Sequence, residues 1–173
     1  MPLKKFIVIP LIIAVLAFTI QIVDQLLSPH MKPFPNNGFC WIAFQAWAVY
    51  FFAGRNLKGG LQAILGYIVG IVAAILLMEL AGVIGMLKFF AVPAAVGVIA
   101  CCLIFFEKAP WWLSLIPAMF IGAGAYFAFM SYIPGANYVN AAVTEIVYCL
   151  LGLTYGFITI TLRVAYENWV NKE

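Results

Sequence analysis

Charge is what this sequence has least of: nine Lys or Arg, six Asp or Glu and a single His in 173 residues, with 9% charged residues in all. So sparse a polar complement cannot coat a soluble globule. It also offers no basic patch with interleaved aromatics, which excludes nucleic acid as a partner. One histidine and a few hydroxyls inside apolar runs do not assemble a nucleophile with a base, and no glycine loop is built to cradle a phosphate. Cys40, Cys101, Cys102 and Cys149 show no C-x-x-C spacing and no accompanying histidine cluster, so neither zinc nor a redox pair is indicated and they read as small apolar side chains. The expectation is a protein that is not an enzyme and holds neither metal nor cofactor.

What the chain has instead is length of apolar run: 66% hydrophobic residues and a mean hydropathy of +1.10. Six stretches stand out, over residues 6–27, 38–54, 59–80, 86–106, 111–131 and 140–163. Each is near the ~20 residues a helix needs to cross ~30 Å of hydrocarbon, although the second is short. The expected fold is all-α, with six transmembrane helices in one membrane domain over 1–173. An N-terminus in the cytoplasm puts Lys4, Lys5, Arg55, Lys58, Lys108, Arg163 and Lys172 inside and leaves Lys32 and Lys88 outside. That asymmetry predicts N-in/C-in topology. The opening Met1-Pro2-Leu3-Lys4-Lys5 could mimic a signal peptide, but the run after it is long and lacks a small-residue cleavage site before Asp24, so it reads as an uncleaved first helix. Three prolines in residues 28–37 and Pro134-Gly135 in 132–139 mark the longest polar connections. Trp111, Trp112, Trp169, Tyr132 and Tyr138 fall near span ends, where amphipathic rings anchor at the headgroups.

The halves 6–80 and 86–163 carry a faint self-similarity. Phe44-Gln45-Ala46-Trp47-Ala48-Val49-Tyr50-Phe51 lines up with Phe120-Ile121-Gly122-Ala123-Gly124-Ala125-Tyr126-Phe127, which keeps the aromatics in register. Gly66 and Gly70 line up with Gly152 and Gly156, and Pro10 and Asp24 with Pro93 and Glu107. Three spans per half would give the halves opposite orientations, an inverted 3+3 repeat of the kind that underlies many transporters. The pairs Gly66-x-x-x-Gly70 and Gly152-x-x-x-Gly156 predict close helix crossings, because small residues let backbones approach in lipid. Gly122 and Gly124, spaced by two, are weaker packing candidates.

Glu145 alone among ionisable residues lies well inside an expected span, and a charge at that depth is costly, about 3 kcal/mol or more. It is expected to face the interior or a cavity, with Gln45, His30 or Lys88 as polar company. Asp24, Glu79 and Glu145 all lie toward the outer side of this topology with His30, so an outer vestibule that attracts cations or senses pH is one reading. Charges solvated at the headgroup boundary are the other. Trp47, Tyr50 and Tyr126 join these residues as candidate lining of a solute path. The centres of all six spans lack carboxylates, which argues for passive conduction over coupled transport.

Phe44-x-x-Trp47-Ala48-x-Tyr50-Phe51-x-Ala53-Gly54, the Leu57-Lys58-Gly59-Gly60 that follows, and Ile116-Pro117-x-x-Phe120-Ile121-Gly122 resemble the YcdZ-like family of small bacterial inner-membrane proteins of unknown function. The resemblance covers most of the chain. It implies a multi-pass protein of the bacterial cytoplasmic membrane, and it carries over no catalytic residue. The proline-rich loop and Glu145 have no counterpart in the family pattern.

Together these features predict a homo-oligomeric channel or facilitator, embedded in the lipid bilayer, for a small polar solute such as urea, ammonia or a short amide. The rivals are a non-conducting accessory or structural membrane subunit, and a proton- or cation-coupled small-solute carrier.

Overall fold

The structure is a computed structural model that describes residues 2–35 and 37–172, with Lys4 described by its backbone alone. Expectations resting on Asn36 in the proline loop or on the Lys4 side chain therefore lie outside the described residues. Among these, every regular element is helical: α1 (Leu3–Phe6), α2 (Val8–Leu27), α3 (Cys40–Phe52), α4 (Leu57–Val83), α5 (Ala91–Ile104), α6 (Ile116–Tyr132) and α7 (Tyr138–Val170). Short 3-10 turns at Ser28–His30, Gly85–Phe90, Phe105–Lys108 and Trp111–Leu113 extend or join them.

Local chemistry sets the helix limits. Asn56 caps α4 by accepting from the Gly59 backbone N–H at 2.8 Å. Just before it, Gly54 at φ 88° and Arg55 at φ 59° turn the chain sharply out of α3. Asn137 opens α7 in a reciprocal cap: its side chain accepts from the Val139 and Asn140 N–H groups, while the Asn140 side chain accepts from the Asn137 N–H at 2.9 Å.

Among the described residues, five helical segments are long and apolar enough to cross a membrane: Val8–His30, Leu57–Val83, Gly85–Lys108, Trp111–Tyr132 and Tyr138–Val170. The second expected stretch, 38–54, is helical only over the 13 residues of α3. That is about 20 Å of helix against ~30 Å of hydrocarbon. Gly38 at φ 91° before it and Gly54 after it end the regular backbone. What α3 lacks in length it has in burial, since Ile42, Ala43, Ala46 and Val49 are wholly enclosed.

Packing is organised around two tight pairs, α3 with α7 and α4 with α6, joined where α4 crosses α7. Helix α2 lies against α7, and α5 lies against α4. These outer helices expose Leu11, Val15, Phe18, Val92, Val96 and Val98, faces suited to lipid. Hydrogen bonds identify the two ends of the bundle. At one, the Tyr166 hydroxyl donates to the Lys5 carbonyl at 2.6 Å, Lys58 Nζ stands 4.2 Å over the Trp111 ring, and the Gln62 amide donates to the Trp111 carbonyl. At the other, the Tyr138 hydroxyl donates to Glu79 at 2.6 Å and Thr144 donates to the Lys32 carbonyl at 3.3 Å.

Candidate functional site

Glu145 is the eighth residue of α7, about 10 Å along the helix from its capped start. It is completely buried, and neither carboxyl oxygen has a hydrogen-bond partner among the described residues. It lies within electrostatic range of Tyr67 on α4, Tyr126 on α6 and Cys149 one turn further along α7. The Tyr67 hydroxyl is likewise buried and unpartnered, whereas the Tyr126 hydroxyl donates to the Tyr138 carbonyl at 2.8 Å. Small residues make the meeting of these helices possible, with Ala63, Ala118 and Ala46 fully enclosed around the site.

Of several clefts in the surface, two border α7 on either side of Glu145, toward opposite ends of the bundle. The larger, about 780 Å³, is open and lined by His30, Lys32, Asn137, Tyr138, Asn140 and Thr144 among others. Its inner limit at Thr144 is the residue next to Glu145. The smaller, about 320 Å³, lies between α4 and α7 and is lined by Tyr50, Gly60, Ile64, Leu153, Thr154 and Phe157 among others. Glu145 lines neither cleft, and the fully buried Tyr67, Tyr126 and Tyr148 fill much of the interior.

The remaining candidates separate sharply. Asp24 is as buried as Glu145 but well satisfied: its carboxylate accepts from the Tyr148 hydroxyl at 2.6 Å, the Phe39 N–H at 3.0 Å and the Gln21 amide at 3.2 Å. A Cβ at Gly38 would collide with this carboxylate, so the glycine lets the chain fold over it at the start of α3. Asp24 is thus a latch between α2, α3 and α7. Glu79 is exposed and bonded to Tyr138, while His30 stands exposed at the rim of the larger cleft. Trp47 is buried, stacked on Phe44 at 5.8 Å and 5.7 Å from the Tyr155 ring. Tyr50 packs beneath Gly156 and borders the smaller cleft.

Two expectations need correction. Gln45 is exposed on the face of α3 turned away from α7, because the buried stripe of that helix runs through Ile42, Ala43, Ala46 and Val49. With Lys88 exposed in the Gly85–Phe90 turn, the company of Glu145 is Tyr67, Tyr126 and Cys149, not Gln45, His30 or Lys88. Gly124 is no packing glycine, since a Cβ there would meet nothing within 4 Å. Its spacing of two from Gly122 turns it to the opposite side of α6.

Five other glycines sit at close crossings. A Cβ at Gly66 would stand 2.6 Å from Ala118 Cβ, at Gly70 2.6 Å from the Ala123 nitrogen, and at Gly122 2.9 Å from Tyr67 Cα. At Gly152 it would stand 2.8 Å from Ala46 Cβ, and at Gly156 2.6 Å from Tyr50 Cβ. They are the seams of the α4–α6 and α3–α7 pairs.

Tyr67 and Tyr148 are the residues that inspection of the sequence misses. Tyr148 follows Glu145 by three on α7, and Tyr67 sits inside Gly66-x-x-x-Gly70. Neither position marks its ring as interior, because a residue next to a seam glycine lies about 100° around the helix from it. Among the described residues no group of three or more His, Cys, Asp or Glu side chains could hold a metal ion, and Cys40, Cys101, Cys102 and Cys149 are all free.

No curated protein and no solved structure matches the chain. A sequence-family profile described as a protein of unknown function (DUF1097) matches residues 7–163, a stretch that takes in α2 to α6, most of α7 and the whole surroundings of Glu145. The chain belongs to the DUF1097 family.

Proposed function

We propose that this protein is a facilitator for a small polar solute, of the urea, ammonia or short-amide class, in the bacterial cytoplasmic membrane, and that the structure is an occluded state with Glu145 on the closed part of the path. The observation that carries this reading is the unpartnered Glu145 carboxyl. An ionised carboxylate in a low-dielectric interior costs several kcal/mol unless something accompanies it. The group therefore requires a proton, a cation or a polar solute at some stage of a working cycle. Purely structural needs at the same place are met by alanine and glycine. Between the two clefts, Glu145 and Tyr67 supply the acceptor and donor that a neutral polar solute would exchange for water.

The packing supports an inverted repeat of α2–α3–α4 with α5–α6–α7. The α3–α7 pair corresponds to α6–α4, and α2 on α7 corresponds to α5 on α4. Aligning Tyr50 with Tyr126 brings Ala43 onto Met119. Gly152 packs against Ala43 and Gly70 against Met119, so the contacts favour Gly70 with Gly152, one turn from the pairing of Gly66 with Gly152. In that register Cys149 answers Tyr67, and the two share one buried cluster, as expected for residues near the meeting of the halves, where repeat-built transporters hold their solute. Glu145 answers Ala63, so the acid belongs to one half only and is not a requirement of the shared frame. The bundle end that gathers Lys5, Lys58, Arg163 and Lys172 is assigned to the cytoplasm.

A non-conducting accessory subunit is the second reading, favoured by the dense tyrosine packing between the clefts. Flux of urea, ammonia, formamide and acetamide into liposomes holding the purified protein separates the two. Facilitation predicts permeation of at least one of them well above protein-free liposomes. Equality for all four, with or without an imposed pH gradient, would leave the accessory reading.

A further inference from the structure

The exposed side of α3 has a pattern that the solute path does not use. Trp41, Gln45, Ala48 and Phe52 follow one another at intervals of four, three and four residues, the 3.5-residue period of a helix–helix seam. Gln45 and Ala48 are exposed, Phe52 is 70% exposed, and Trp41 is partly so. The seam lies opposite the stripe that packs on α7, so one short helix presents two packing faces. Gln45 sits near the middle of α3, with roughly 8 to 10 Å of helix on either side. Its side chain is too short to reach the headgroups from there. A primary amide offers two donors and an acceptor, and hydrocarbon satisfies neither kind.

We propose that this face is the contact between two copies of the chain, with α3 crossing its symmetry mate and the two Gln45 amides hydrogen-bonding to each other. The occupant is a second copy because the seam is self-complementary. An amide donates and accepts at once, so a two-fold axis through Gln45 lets each side chain satisfy the other in a closed, isologous pair. Ala48, the next residue of the seam, lets the backbones approach closely enough for short amides to meet. A single polar residue within an apolar seam also fixes register, since sliding by one turn would leave both amides facing lipid. The matching side of α6 carries Ile121 and the open Gly124 at its middle and reaches a polar residue, Ser131, only in its last turn, which makes it the poorer partner.

The test uses the full-length protein in membranes, with the exposed Cys101 and Cys102 changed to Ser. Oxidation of Gln45→Cys should give a disulfide-linked dimer in high yield, and Phe18→Cys on the exposed side of α2 should not. In lipid bilayers, energy transfer between labelled copies should show Gln45→Leu dimerising about tenfold more weakly than the parent, with Gln45→Asn recovering part of the loss. Gln45 is exposed, so neither change disturbs the fold. A monomeric parent protein, a Gln45→Leu variant that dimerises like the parent, or cross-linking of Gln45→Cys to Gly124→Cys without the Gln45→Cys pair would each overturn the proposal.

Discussion

Two buried carboxylates, Asp24 and Glu145, lie in one small bundle and are treated in opposite ways. Asp24 accepts from donors on its own helix, at the start of α3 and on Tyr148 of α7. Tyr148→Phe removes the shortest of these bonds and leaves a buried carboxylate less well satisfied. It should lower the stability of the purified protein by about 1–3 kcal/mol, visible as a fall in melting temperature in detergent. Glu145 has no hydrogen bond to lose among the described residues. Glu145→Gln keeps its size and removes the charge, so it should melt within about 0.5 kcal/mol of the parent or higher. A marked fall in its melting temperature would mean that the carboxyl is a structural anchor. Glu145 was legible in the sequence because a lone acid stands out in an apolar run. Tyr67 and Tyr148 were not, because a tyrosine in such a run looks the same whether it anchors at a headgroup or points inward. Only the helices arriving from elsewhere in the chain, α2 beside Tyr148 and α7 beside Tyr67, decide between these roles.

Among the helices, the glycines separate packing from composition. Gly70→Leu or Gly152→Leu would drive a side chain into the backbone of the neighbouring helix, and each should abolish monodisperse protein on size-exclusion chromatography. Gly124→Leu points into open space and should elute and melt like the parent. If all three behave alike, close approach is not what holds these pairs together. The spacing of four within each glycine pair made the crossings readable in advance. The identity of the partner helix was not readable, because apolar helices in lipid carry no charge pattern to select one neighbour over another. The short second helix was visible as a short apolar run, and its limits follow from Gly38 and Gly54. Its two faces could not be told apart in the sequence, since Gln45 and Trp47 are both polar-tipped residues on an apolar helix.

For the molecule as a whole, the two ends of the bundle are chemically distinct: Lys5, Lys58 and Trp111 gather at one, and His30, Lys32, Glu79 and Tyr138 at the other. In intact cells carrying Cys101→Ser and Cys102→Ser, an impermeant maleimide should label Lys32→Cys, and should label Lys58→Cys only after the membrane is opened. Labelling in the reverse order would invert the orientation and turn the larger cleft toward the cytoplasm. The central claim is that Glu145 belongs to a solute path, and the most direct measurement is per-protein flux through liposomes holding either the parent or Glu145→Gln, using the solute that the parent carries best and a range of external pH. The account predicts that Glu145→Gln assembles and inserts like the parent while its flux, or the pH dependence of that flux, changes at least severalfold. Identical flux at every pH from equally well-assembled protein would contradict it.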